Sequence, residues 1–148
     1  MTKDVLVSIS GVHMIDGETD DVEVITAGTY YFRNHKHYVV YEELIEGVEG
    51  AVKNTIKIGN GMVDIIKTGS AHSHMLFEKE KSNVSCYTTP FGQMMVGINT
   101  NEIQIEEKEN QIIATVDYTL DVNYKEMSRC RIKIEVQSKA LANFHLNE

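Results

Sequence analysis

The chain has no tryptophan, one proline and two cysteines in 148 residues, and only three of its fourteen basic residues are arginine (Arg33, Arg129 and Arg131). One proline and ten glycines exclude a collagen-like or proline-rich design. The shortage of positive charge leaves a net charge of −8, which repels phosphate backbones and anionic lipid, so neither a nucleic acid nor a membrane is expected as a partner. No stretch approaches the roughly 20 apolar residues needed to span a bilayer. MTKDVLVSISGV carries Asp4 and two serines and lacks the long apolar run of a signal peptide. The expected location is the cytoplasm, with Cys86 and Cys130 reduced. A nucleophile elbow, a phosphate-binding loop and HExxH are all missing, so no residue is assigned a catalytic role and the reading leans away from an enzyme. No cofactor is expected.

What the chain does have is alternation of period two. From Ile112 to Tyr124 the even positions read Ile, Ala, Val, Tyr, Leu, Val, Tyr, and the odd positions between them are mostly polar. Cys130, Ile132, Ile134 and Val136 repeat the pattern against Arg129, Arg131, Lys133 and Glu135. Each is a strand with one face buried and one wet. The two predict a hairpin turning near Lys125, and charge pairing favours a register with Asp121 opposite Arg129 and Asp117 opposite Lys133.

Upstream, Val5, Val7 and Ile9 form one inward row, and Val22, Val24, Thr26, Gly28, Tyr30 and Phe32 another. Turns are expected near Asn34 and at GNG (59–61), and a bulge in NTNE, where apolar parity shifts between Ile98 and Ile103. The acidic segment EELIEGVEG (42–50) reads as a loop or frayed turn, and ALANFHLNE (140–148) as a short helix. About ten strands with short links, and no internal repeat or linker, predict one domain over residues 1–148. The fold class is all-β: an antiparallel meander barrel of about eight to ten strands, closed or nearly closed.

One stretch, AHSHMLFEKEKSNVSCYTTPFG (71–92), concentrates special residues. His72 and His74 share a strand face and have the spacing of two zinc ligands, but that face continues with Leu76, Glu78 and Glu80 and so points outward, which disfavours a metal. Ser73, Met75 and Phe77 face the core. TTPFG places Pro90 in a β-turn. A four-residue EKSN loop would set Phe77 opposite Cys86 and Leu76 opposite Tyr87. His72, His74, Leu76, Tyr87 and Phe91 would then form an outer patch fit for protein contact or homodimerisation.

HSHMLF followed by YTTPFG and INTNEI, with TAGTYY and YEE upstream, resembles the YwiB-like proteins of Gram-positive bacteria over most of residues 3–138. That family is similar in fold to the calycins, which include lipocalins. The resemblance therefore implies a calycin-like barrel, and it places His72, His74, Phe77, Tyr87, Thr89, Pro90, Phe91 and Gly92 in the family's motif. It brings no catalytic residue with it. A barrel of this size can hold one small ligand. The expected function is binding of a small, partly apolar molecule lined by Tyr30, Thr88, Tyr118 and Tyr124; the alternative is the outer contact patch.

Overall fold

The computed structural model describes residues 3–15, 18–44, 49–69, 72–89 and 92–139; for 12–15, 18–22, 85–89 and 127 only the backbone is described. Ten strands follow in order: β1 (Asp4–Ile15), β2 (Glu18–Arg33), β3 (Lys36–Leu44), β4 (Ala51–Gly59), β5 (Met62–Gly69), β6 (Ser73–Glu78), β7 (Ser82–Thr89), β8 (Gly92–Lys108), β9 (Gln111–Val122) and β10 (Lys125–Ser138). They make one antiparallel sheet ordered β6-β5-β4-β3-β2-β1-β10-β9-β8-β7. The first and last strands pair, from Val5 with Ser138 to Met14 with Arg129. The sheet curls so that its two ends, β6 and β7, meet and nearly close a barrel. The expected all-β meander is what forms.

The seam between β6 and β7 carries no ladder among the described residues. It is fastened by the connection itself. The Glu80 amide donates to the Thr100 carbonyl (3.0 Å), the Thr100 amide donates to the Lys81 carbonyl (3.0 Å), and Asn83 Nδ2 donates to the Leu76 carbonyl (3.2 Å). This overturns the expected pairing of Phe77 with Cys86 and of Leu76 with Tyr87. β6 pairs with β5, setting Phe77 opposite Val63, and β7 pairs with β8, setting Cys86 opposite Met95.

Three hairpins turn in two residues with both in the left-handed region: Asn34 and His35 (φ 54° and 61°), Asn60 and Gly61 (54° and 69°), and Asn123 and Tyr124 (50° and 68°). Left-handed turns match the strand twist, and asparagine and glycine are the residues that tolerate them. The third corrects the β9–β10 register. It sets Val122 opposite Lys125, and a bulge between Glu126 and Ser128 then restores the parity that buries even positions on both strands. Arg131, rather than Lys133, faces Asp117, and its Nε donates to Asp117 Oδ1 at 2.6 Å. Thr119, rather than Asp121, faces Arg129. The expected break in NTNE is present: the β8–β9 register shifts between Thr100 and Glu102.

The core is the interior of the barrel. Val5, Val7, Val39, Ile56, Ile58, Val63, Ile112, Val116, Ile134 and Val136 are sealed from solvent. Phe77 on β6 and Tyr118 on β9 meet with ring centroids 4.8 Å apart, so two aromatic rings from separated strands pack on each other in the interior. No helix among the described residues is long and apolar enough to cross a membrane.

Candidate functional site

Up-and-down topology sorts the connections onto two ends. One end carries the turns at Asn34, Asn60 and Glu109, the β6–β7 connection, and the start of β1 and end of β10. The other carries the β1–β2, β3–β4, β5–β6 and β7–β8 links and the turn at Asn123. Each end holds a polar cluster.

At the first end the Tyr30 hydroxyl lies 2.8 Å from His37 Nδ1, and His37 Nε2 lies 2.9 Å from Glu107 Oε1. The carboxylate can only accept, so Nε2–H donates to it and Nδ1 accepts from the hydroxyl. The chain crosses from β2 and β3 to β8, strands that are not neighbours, and clasps this end. The Tyr30 hydroxyl pKa is raised, first by burial and then by the Glu107 charge. Every member of this chain has a partner.

The second end is built differently. Register places Tyr41, Asn54, Lys67 and Ser73 side by side on four successive strands, one layer outward from Val39, Ile56, Ile65 and Met75. Glu43, Val52 and Gly69 form the next layer. All three layers face the interior. Asn54 sits between Val52 and Ile56, and all three are 0% exposed. Asn54 Nδ2 donates to Glu43 Oε1 at 3.0 Å, and Lys67 Nζ donates to the same oxygen at 2.7 Å. β4 separates β3 from β5, so the Lys67–Glu43 pair passes over β4 as a strap. The strap is the solvent side of the cluster, with the Lys67 and Glu43 side chains 35% and 28% exposed.

Lys67 hydrogen bonding holds the Glu43 carboxyl below its ordinary value against the opposing effect of burial, with a smaller lowering from Asn54. Burial, helped by Glu43, pushes the Tyr41 hydroxyl up to about 12, so it stays neutral. Asn54 Oδ1, by contrast, is buried with no hydrogen-bond partner among the described residues. Leaving such a group unpaired costs about 1–3 kcal/mol. Rotating the amide offers no relief, because it would turn an oxygen toward the carboxylate. On β1, β9 and β10, Ile9, Leu120 and Ile132 face inward but are only partly buried, and Val24 on the same face is 41% exposed. Gly69, at φ +105°, adds no side chain beside Glu43; a Cβ there would meet the Ala51 carbonyl at 2.8 Å.

The residues expected from sequence scatter over this plan. Tyr30 belongs to the clasp. Tyr118 is buried against Phe77. Tyr124 does not line the interior: it is 84% exposed in the hairpin turn, because the two-residue loop ends β9 at Val122. Phe32 also leaves the inward row's interior and is exposed at the rim. The Thr88 side chain lies outside the described residues, although its backbone pairs with Gln93. His72 is exposed, and His74 faces outward as expected, with Nε2 donating to Asp64 Oδ1 at 2.5 Å. Leu76 is partly buried beside them. The side chains of Tyr87 and Phe91, needed to complete the outer patch, lie outside the described residues, as does 140–148. His35 is in the Asn34 turn and His37 is on β3.

The polar row was missed. Glu42, Glu43 and Leu44 extend β3 instead of starting an acidic loop. The signal was the odd-numbered row Val39, Tyr41, Glu43, together with the even-numbered row Val52, Asn54, Ile56, Ile58. An outer recess of about 490 Å³ also lies beside the Asn101 bulge, bordered by Glu102, Asp117, Arg129 and Arg131, whose charges balance.

Residues 7–134 match the family described as "Domain of unknown function (DUF1934)". Over 107 residues, 72% of this chain and 74% of the relative, the sequence is 28% identical to the "Uncharacterized beta-barrel protein YwiB" of Bacillus subtilis (strain 168). The crystal structure of the ywiB protein from Bacillus subtilis matches with a TM-score of 0.78 over 92% of each chain at 23% identity. That likeness is one of fold.

Proposed function

The chain belongs to the DUF1934 family, and from the layout of its interior we propose that it binds a small, partly apolar molecule at the strapped end of the barrel. The carrying observation is the Asn54 amide: a polar group sealed in an apolar strand row with one hydrogen-bonding atom unused. Stability alone favours valine or isoleucine there, as at Val52, Ile56 and Ile58. Binding sites combine apolar walls with a few placed polar groups, and the inward-facing, partly exposed Ile9, Leu120 and Ile132 are the apolar wall this reading assigns. The Phe77–Tyr118 contact takes up part of the interior and argues against a molecule running the length of the lumen.

The reading is tested by native mass spectrometry of protein from a near-native host, compared with its denatured mass, followed by an NMR fragment titration. A mass lost on denaturation, or fragment-induced shifts centred on Tyr41, Asn54 and Lys67, supports it. A bare mass with no shift at those residues for any fragment sinks it.

A further inference from the structure

Resting on that reading, we infer that the ligand's polar group is an uncharged hydrogen-bond donor, an alcohol or a primary amide, received by Asn54 Oδ1 when the Lys67–Glu43 strap opens. Three observations select this class.

The first is the vacancy itself. The unpartnered atom is an amide oxygen, which only accepts. Its orientation is fixed because Nδ2 is committed to Glu43 Oε1. A ligand that satisfies it must bring an N–H or O–H.

The second is charge. Glu43 and Lys67 share one oxygen contact at 2.7 Å and cancel. An incoming carboxylate or phosphate would find the only lysine of the row already spent and Glu43 repelling it. An incoming ammonium would be set beside the Lys67 ammonium. A neutral donor meets neither penalty. Tyr41, kept protonated by its surroundings, adds no charge, and the other member of the row is Ser73.

The third is access. Asn54 Oδ1 is closed to solvent, and the Nδ2 of the same amide is held by Glu43 beneath the strap that passes over β4. Both strap side chains reach solvent and are long and flexible, so in this proposal Lys67 swings outward to admit the ligand while the strands stay in place. The apolar body of the ligand then lies against the half-covered wall of Ile9, Leu120 and Ile132.

The test is a calorimetric titration of the full chain with four probes of one medium alkyl length: alcohol, primary amide, carboxylate and amine. The alcohol and amide should bind about tenfold more tightly than the two charged probes, the discrimination expected of one hydrogen bond to a desolvated acceptor. Asn54→Leu should lower the alcohol and amide to the affinity of the alkyl chain alone and so shrink that preference, the charge penalties remaining. Lys67→Met, which removes the strap, should tighten alcohol binding and keep the preference over the carboxylate, while the amine gains because the freed Glu43 carboxylate attracts it. Should Asn54→Leu fail to fold, the wild-type ranking and Lys67→Met still decide. Equal binding of all four probes, a preference for either charged probe by the wild type, or a preference that survives Asn54→Leu undiminished overturns the inference while leaving the binding reading standing. If none of the four binds, the binding reading and this inference fall together.

Discussion

The two ends of the barrel are made from the same strands and finished in opposite ways. At the clasped end, two-residue turns cap the hairpins, and the Tyr30–His37–Glu107 chain uses every ring nitrogen and hydroxyl it has. At the strapped end, Lys67 and Glu43 hold each other over an Asn54 acceptor that holds nothing. A buried polar network is stabilising when complete and a liability when one member is left over. On the proposed reading, the bond missing at the strapped end is the one a ligand supplies.

That contrast can be broken most violently at the interior aromatic pair. Phe77→Ala removes half of that pair and should lower stability by about 3–5 kcal/mol in urea denaturation. It should also let apolar probes reach deeper than in the parent; unchanged probe affinity would mean the pair does not bound the site. Tyr30→Phe at the clasped end should cost about 1 kcal/mol and leave probe binding at the other end unchanged. A parallel loss of binding would show that the ends are coupled. Tyr124→Gly, at the strapped end's hairpin, should stabilise by about 0.5–1 kcal/mol, since it relieves a left-handed tyrosine at φ 68° at the cost of added chain entropy. It should not alter binding, because Tyr124 points away from the lumen.

The smallest effect is electrostatic. The lowered pKa of Glu43 contributes stability that is present above the ordinary glutamate value and is lost as pH falls through the lowered one. Lys67→Met removes the largest cause of the lowering, so its stability should decline less across that acidic window than the parent's. Urea midpoints taken at several acidic pH values measure the difference; parallel profiles would mean the strap has little electrostatic weight.

Much of the architecture was legible because alternation is a local signal. Even positions of β9 and β10, the Asn34 and GNG turns, and the Asn101 bulge all show in residues a few apart. What failed depended on a single unit of register. Charge pairing favoured Asp117 with Lys133, but the left-handed turn at Asn123 sets the hairpin one residue out of parity and the bulge after Glu126 brings it back, onto Arg131. Such pairs are worth too little to outvote a turn. The Phe77–Cys86 pairing failed for a different reason: β6 and β7 are consecutive in sequence yet lie at opposite ends of the sheet's hydrogen-bonded order. The polar cluster stayed hidden because Glu43, Asn54 and Lys67 lie on three different strands, and each reads alone as an acid in an acidic run, an amide among aliphatics, or a surface lysine.

The unladdered seam also bears on how the barrel is assembled. Nine of the sheet's pairings join strands; all but one are hairpins between consecutive strands, and the exception, β1 with β10, must find its partner from the far end of the chain. Such a contact is dear in loop-closure entropy and slow to form. A circular permutant that joins Ser138 to Asp4 through a short linker and opens the chain at Lys79 would make the order of strands in sequence identical to their order in the sheet. Every ladder would then be formed by neighbours, and the native seam would become the new pair of termini. Such a chain should reach the same barrel faster than the natural one.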